Sequence, residues 1–188
     1  VYKRQGTDFR IGPVQQTGRT LDLAIQGKGW LAVERADGTE GYTRAGSLKL
    51  NENGVLQTEG GLNVLADGGP ITIPPNVKIS FAKDGTISSV DSGTTPGATI
   101  EIARLKLVNP DEGNLVRGSD GLFVTKDGVP AEVDATVGVI SGAVEGSNVN
   151  VVDAMVSMIS QARQFELNMN MLKHAESNAA TVSYTHLR

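Results

Sequence analysis

Cysteine is absent from this 188-residue chain, which removes disulfides, thiolate metal sites and a cysteine nucleophile at once. Histidine occurs only as His174 and His186, too few to assemble a histidine-based triad or a multi-histidine metal centre. Basic residues are not in excess. The formal net charge is -4 and the isoelectric point about 5.2, whereas a nucleic-acid surface leaves a basic stripe. No apolar run approaches the ~18 residues that a membrane-spanning helix needs. Gly27-Lys28-Gly29 lacks the flanking pattern of a phosphate-binding loop, and the spaced aspartates do not fit a calcium loop. These gaps point away from an enzyme, a cofactor or metal protein, a nucleic-acid binder and a directly inserted membrane protein.

What the chain has in quantity is glycine, 23 residues set mostly at turns, a composition of short strands rather than of disorder. From residue 20 to residue 145 the pattern is β. Leu21-Asp22-Leu23-Ala24-Ile25 and Val77-Lys78-Ile79-Ser80-Phe81 alternate with period two. Ile100 to Val108 alternates for longest and predicts one continuous strand. Asp37-Gly38, Asn53-Gly54, Asp67-Gly68, Asp84-Gly85, Asp120-Gly121 and Asp127-Gly128 predict tight turns with positive φ at glycine. Pro74-Pro75 ends a strand. Ser92 to Gly97 reads as an exposed, mobile loop and Asn109 to Gly113 as a second turn. The expected fold is mainly β: an antiparallel domain, sandwich or barrel-like, followed by a long C-terminal α-helix belonging to a coiled-coil core domain.

That helix is the most informative stretch. Ser147, Asn148 and Asn150 have side chains able to cap a helix start. With Asn150 as N-cap, Asp153 falls at N3, where a carboxylate favours the positive helix end. Beyond the cap, Val151, Met155, Met158, Ala162, Phe165, Met169 and Leu172 recur in steps of four and three, a heptad seam held for about three heptads. So narrow a seam suits a helix gripping a partner helix rather than one sunk in a globular core. A helix over 150–178 would be roughly 40 Å long and marginal alone in water.

Other residues weigh less. Trp30, the sole tryptophan, sits in an apolar run and reads as core. Arg44 follows a turn and reads either as a solvated surface group or, more sharply, as an inter-subunit contact. His174 reads as a solvated helix residue. The Asp-Gly carboxylates are explained by turn hydrogen bonding before paired acid–base chemistry. Met155, Met158, Met169 and Met171 could form an adaptable face, but ordinary helix packing explains those on the seam first.

Both ends break the pattern. Val1-Tyr2-Lys3-Arg4-Gln5 and Thr181 to Arg188 match no periodicity around them and resemble translated sequencing-adapter sequence. The expected division is therefore 1–19 as an adapter-derived end plus an extended connector, 20–145 as the β domain, 146–178 as the coiled-coil helix, and 179–188 as an adapter-derived tail.

Three stretches, in order, resemble the signatures of the flagellar rod and hook axial proteins. They are Thr17-Gly18-Arg19-Thr20-Leu21-Asp22-Leu23-Ala24-Ile25-Gln26-Gly27-Lys28-Gly29-Trp30-Leu31-Ala32-Val33, Gly41-Tyr42-Thr43-Arg44-Ala45-Gly46-Ser47, and Glu145-Gly146-Ser147-Asn148-Val149-Asn150 with its helix. Within that family, Trp30 and the short β domain resemble the proximal-rod member more than the distal-rod member, which usually has Phe-Phe there. The resemblance implies a structural subunit of the basal-body rod, exported by the flagellar apparatus and assembled in the periplasm. It also implies that the helix pairs with an N-terminal helix missing here, and packs with further copies and other rod proteins. The seam of Met155, Met158, Ala162, Phe165, Met169 and Leu172 would be the packing face. The alternatives are a distal-rod or hook subunit and, from another class, a secreted β-type carbohydrate-binding or carbohydrate-active domain.

Overall fold

The computed structural model describes residues 6–75, 77–90 and 99–185, so the loop expected at Ser92 to Gly97 lies outside the described residues, as do residues 1–5 and 186–188. Two compact units divide the chain, Val1–Asn148 and Val149–Arg188. Among the described residues the first is all β apart from one short 3-10 turn, Glu112–Asn114. The second is a single α-helix, Val151–Thr185.

Every strand pairing among the described residues of the β unit is antiparallel. The largest sheet among the described residues has five strands in the order Leu107–Val108, Trp30–Glu34, Glu40–Thr43, Phe123–Thr125, Leu115–Arg117. A three-stranded sheet joins Thr99–Arg104, Thr86–Val90 and Lys78–Phe81, and two-stranded pairs complete the unit. Trp30–Glu34 is paired on both edges and buried on both faces. Leu31 and Val33 point into the main cluster with Leu23, Leu56 and Ile87, while Trp30 and Ala32 enter a second cluster with Tyr42 and Val108. A strand buried on both sides reads as a continuous apolar run, which is why Trp30-Leu31-Ala32-Val33 does not alternate.

The turn chemistry follows the dipeptides with one exception. Gly38, Gly54, Gly85, Gly121 and Gly128 all have positive φ, but after Asp67 it is Gly69 rather than Gly68 that does. The stretch Ile100 to Val108 departs more clearly. It is two strands in two sheets, Thr99–Arg104 and Leu107–Val108. The register slips between Ile87 and Ser88, so Ile102 is the extra residue on the facing strand. A bulge of this kind bends the strand. Leu105 and Lys106 then donate to the carbonyls of Gly85 and Leu65, carrying the chain across to pair Leu107 with Leu31. The apolar positions change phase at the handover, from Ile100 and Ile102 to Leu105 and Leu107 across Arg104.

Residues 6–19, expected as a patternless connector, are tied into the unit. Val14–Gln16 pairs with Ala143–Glu145, and Phe9 packs edge-on against Trp30 at 6.0 Å and tilted against Phe123 at 5.5 Å. The β unit also extends past the expected boundary at residue 145 to Asn148.

Gly46 marks a close backbone crossing. Its carbonyl accepts from the Leu23 amide at 2.8 Å, and a Cβ there would overlap the Leu23 carbonyl oxygen. Gly46→Ala is expected to destabilise the β unit by about 3 kcal/mol, the upper end of overpacking penalties, because backbone cannot swing aside as a side chain can. A urea melt followed by circular dichroism checks this.

Candidate assembly site

The helix runs seven residues past the expected end at Asn178, to Thr185. Nothing after Asn178 stops it: Ala179-Ala180 favours helix, and neither glycine nor proline follows. At 35 residues it is about 52 Å long. Its start is capped by Asn150, whose Oδ1 accepts from the amides of Val152 at 3.0 Å and Asp153 at 3.4 Å. Asp153 lies in the first turn, where its charge suits the helix dipole. Ser147 is exposed in the stretch leading to the helix.

The residues of the seam, Met155, Met158, Ala162, Phe165, Met169 and Leu172, all lie on this helix and are exposed, Phe165 at 66%. A second apolar stripe runs beside them over the first three turns: Val152, Val156 and Ile159, also exposed. Their spacing of four and three was readable in the sequence. The seam continues for about three heptads, whereas the second stripe meets Arg163 and Glu166 at its next two positions.

Asn148, expected at the helix entry, also ties together distant parts of the β unit. Its side-chain amide donates to the carbonyls of Asp8 at 3.1 Å and Arg10 at 2.8 Å, tying the N-terminal strap, residues 8–16, to the last residues of the β unit. A donor of this kind holds carbonyls rather than helix amides.

Beneath Asn148 lies a node that sequence reading missed. Arg44 is neither solvated nor free for another subunit. Its Nε donates to Glu145 Oε2 at 2.8 Å, its Nη1 to the Gly29 carbonyl at 2.7 Å and its Nη2 to the Gly27 carbonyl at 3.0 Å. Nη2 also approaches Glu145 Oε2 at 2.6 Å, and the guanidinium lies 5.9 Å from the Trp30 ring centroid. The other oxygen, Glu145 Oε1, accepts from the Gly12 amide at 2.9 Å. Both charged side chains are largely buried. One arginine thus joins the Gly27-Lys28-Gly29-Trp30 stretch, the Tyr42-Thr43-Arg44 stretch and Glu145, three segments far apart in sequence. Only the planar fork of arginine reaches two carbonyls and a carboxylate together.

The turn carboxylates are held by their own turns. Asp37 accepts from the Thr39 hydroxyl and amide, Asp84 from the Thr86 amide and hydroxyl, and Asp134 from the Thr136 hydroxyl and amide. These bonds hold all three carboxyls below the ordinary range. Asp120 is lowered chiefly by Arg35 and Asp127 chiefly by the Val129 amide. Tyr42 moves the other way. Burial, with the Glu40 carboxylate nearby, pushes its hydroxyl from 10.0 up to about 12, against the opposing bond from the Ala131 amide. The lowered carboxyls therefore stabilise the fold at neutral pH and lose that contribution as pH falls through their depressed values. Tyr42 contributes below pH 10 and loses its share as pH rises towards about 12. The β unit is expected to melt at a constant temperature near neutrality and lower on both flanks. Tyr42→Phe should flatten the alkaline flank alone.

Among the described residues no group of three or more acidic, histidine or cysteine side chains is placed to hold a metal, and no helix is long and apolar enough to cross a membrane. Two family models match. The flagellar hook protein FlgE/F/G D1 domain covers residues 24–89, and the flagellar basal body rod FlgEFG protein C-terminal domain covers residues 140–183. The chain is 41% identical over 180 residues to the flagellar basal-body rod protein FlgF of Escherichia coli, covering 93% of this chain and 71% of that protein. Its identity to FlgF of Salmonella typhimurium is 40% over 179 residues, covering 92% and 71%. Its identity to the rod protein FlgG of Bacillus subtilis is 35% over 165 residues, covering 84% and 62%.

Proposed function

The chain belongs to the FlgE/F/G family of flagellar hook and basal-body rod proteins, and from that membership we propose a mechanical function carried by its C-terminal helix. It is a structural subunit of the flagellar basal-body rod, most like FlgF. In this reading it has no catalytic role and is a proximal-rod component, supported by 41% and 40% identity to FlgF of Escherichia coli and Salmonella typhimurium against 35% to FlgG of Bacillus subtilis. It is exported by the flagellar apparatus and assembles in the periplasm.

The seam of Met155, Met158, Ala162, Phe165, Met169 and Leu172 packs against a helix encoded upstream of Val1. The resulting coiled coils pack against further copies and other rod proteins, while the β unit makes lateral contacts. Torque is then shared over many repeated interfaces rather than one strong bond. The observation that carries this is the exposed apolar seam itself. Burying the five larger of these side chains at about 1.5–3 kcal/mol each amounts to on the order of ten kcal/mol, and a helix exposing them alone is marginal in water. In support, Asp8 and Arg10 lie beside Asn148, so the N-terminal strap and the last residue of the β unit are held together.

A strain lacking its own FlgF tests the reading. Supplied with this frame and its upstream segment, it should regain swimming. Supplied with the same frame ending at Asn148, it should not. Swimming without the helix would end the proposal.

A further inference from the structure

The node around Glu145 does more than fill space, and we infer that Arg44, Glu145 and Gly12 are positioning residues that clamp the N-terminal strap to the end of the β unit, so that both arms of the chain leave it together. This rests on the reading of the helix as half of a pair.

The strap is held at three levels. First, Val14–Gln16 forms a ladder with Ala143–Glu145. Next, Gly12 crosses Gly146 so closely that a Cβ would overlap the Gly146 carbonyl oxygen, and the Gly146 amide donates to the Pro13 carbonyl at 2.9 Å. At the far end Asn148 holds the carbonyls of Asp8 and Arg10. The three strand residues are exposed, with burial supplied instead at Gly12. A three-residue ladder with exposed side chains is weak by itself. What fixes it is Glu145, which uses one oxygen for the strap and the other for Arg44. Arg44 in turn is anchored by the carbonyls of Gly27 and Gly29. The carboxylate is thereby locked in one rotamer by the β unit and offers the strap a preset acceptor. Such preorganisation lowers the entropy lost when two arms must meet.

Two variants weaken the clamp by different routes. Glu145→Gln keeps an acceptor for Gly12 but removes the charge that Arg44 holds. Gly12→Ala leaves the ion pair intact and forces the strap off Gly146. Hydrogen exchange at residues 14–16 and tryptic cleavage after the exposed Arg10 report strap release, while circular dichroism reports melting of the whole unit. The expected result is exchange and cleavage faster by about tenfold or more in Gly12→Ala, and by a smaller factor in Glu145→Gln, with the β unit still folded. In a cell, Gly12→Ala in the frame with its upstream segment should reduce rod incorporation.

Unchanged exchange in both variants would overturn the inference. So would strap release seen only when the whole unit melts, which would make the node ordinary core packing. If Gly12→Ala assembles normally while a charge on the helix seam blocks assembly, this inference fails and the helix reading stands. If the charged seam assembles normally, the helix reading fails instead.

Discussion

Phe165→Asp is expected to abolish incorporation into the basal body while leaving the β unit folded. Phe165 is 66% exposed at the middle of the seam, so nothing in the isolated chain depends on its ring. Aspartate costs a helix interior only about 0.7 kcal/mol or less relative to alanine. In a helix pair the same change removes about 1.5–3 kcal/mol of apolar burial and places an unpaired carboxylate at an apolar interface, a further cost of several kcal/mol. In a polymer the loss recurs at every subunit. Phe165→Leu should assemble, because it keeps an apolar side chain of suitable shape. Gln164→Asp should assemble as well, since residue 164 lies off the seam. Basal bodies purified from each strain and probed for the subunit give the answer. Normal incorporation of Phe165→Asp would sink the seam argument.

Arg44→Met should lower the stability of the β unit by about 3–5 kcal/mol, the usual cost of stripping one partner from a buried ion pair. Methionine fills much of the same volume, so packing loss is small and the electrostatic loss dominates. Glu145 keeps only the Gly12 amide, and the carbonyls of Gly27 and Gly29 lose their donor. Against a typical total of about 5–15 kcal/mol, this is a large fraction. For a unit of this size it corresponds to a fall in melting temperature of roughly 10 °C. Arg44→Lys should recover little, since an ammonium cannot reach the carboxylate and both carbonyls at once. The double variant Arg44→Met, Glu145→Gln should cost less than the sum of the two single changes, because the second removes the charge that the first left unpaired. Lys28→Met breaks the exposed pair with Glu112, whose side chains are 75% and 44% accessible, and should cost about 0.5 kcal/mol or less. Additive costs for Arg44 and Glu145 would show that the two act separately.

The contrast between these experiments follows the contrast between local and distant information. The helix, its Asn150 cap and its seam were legible because they depend on residues three and four apart. So were the Asp-Gly turns and the apolar run of Trp30-Leu31-Ala32-Val33, each set by its own few residues. The helix runs on to Thr185 although Thr181 to Thr185 lacks a heptad pattern, because helix needs only permissive residues and no breaker. The stretch Ile100 to Val108 is two strands rather than one, and the phase change from Ile100 and Ile102 to Leu105 and Leu107 across Arg104 is its local mark.

Arg44 shows where sequence reading stops. Its partner Glu145 is 101 positions away, and the Gly27 and Gly29 carbonyls belong to main chain, which carries no mark in the sequence. Phe9 and Gly12 lie in a stretch without periodicity, so their packing was invisible until the strap was placed. By itself the sequence determined a β unit of short strands, a long capped helix with an apolar seam, and the family to which they belong. These follow from local propensity, spacing and the order of motifs. Only the tertiary structure decided that the family's separated motifs meet at one buried arginine and that the N-terminal strap is part of the unit. The reason is physical: a buried charge is tolerated only where distant segments bring it a matched set of partners, and that set exists only once the chain has folded.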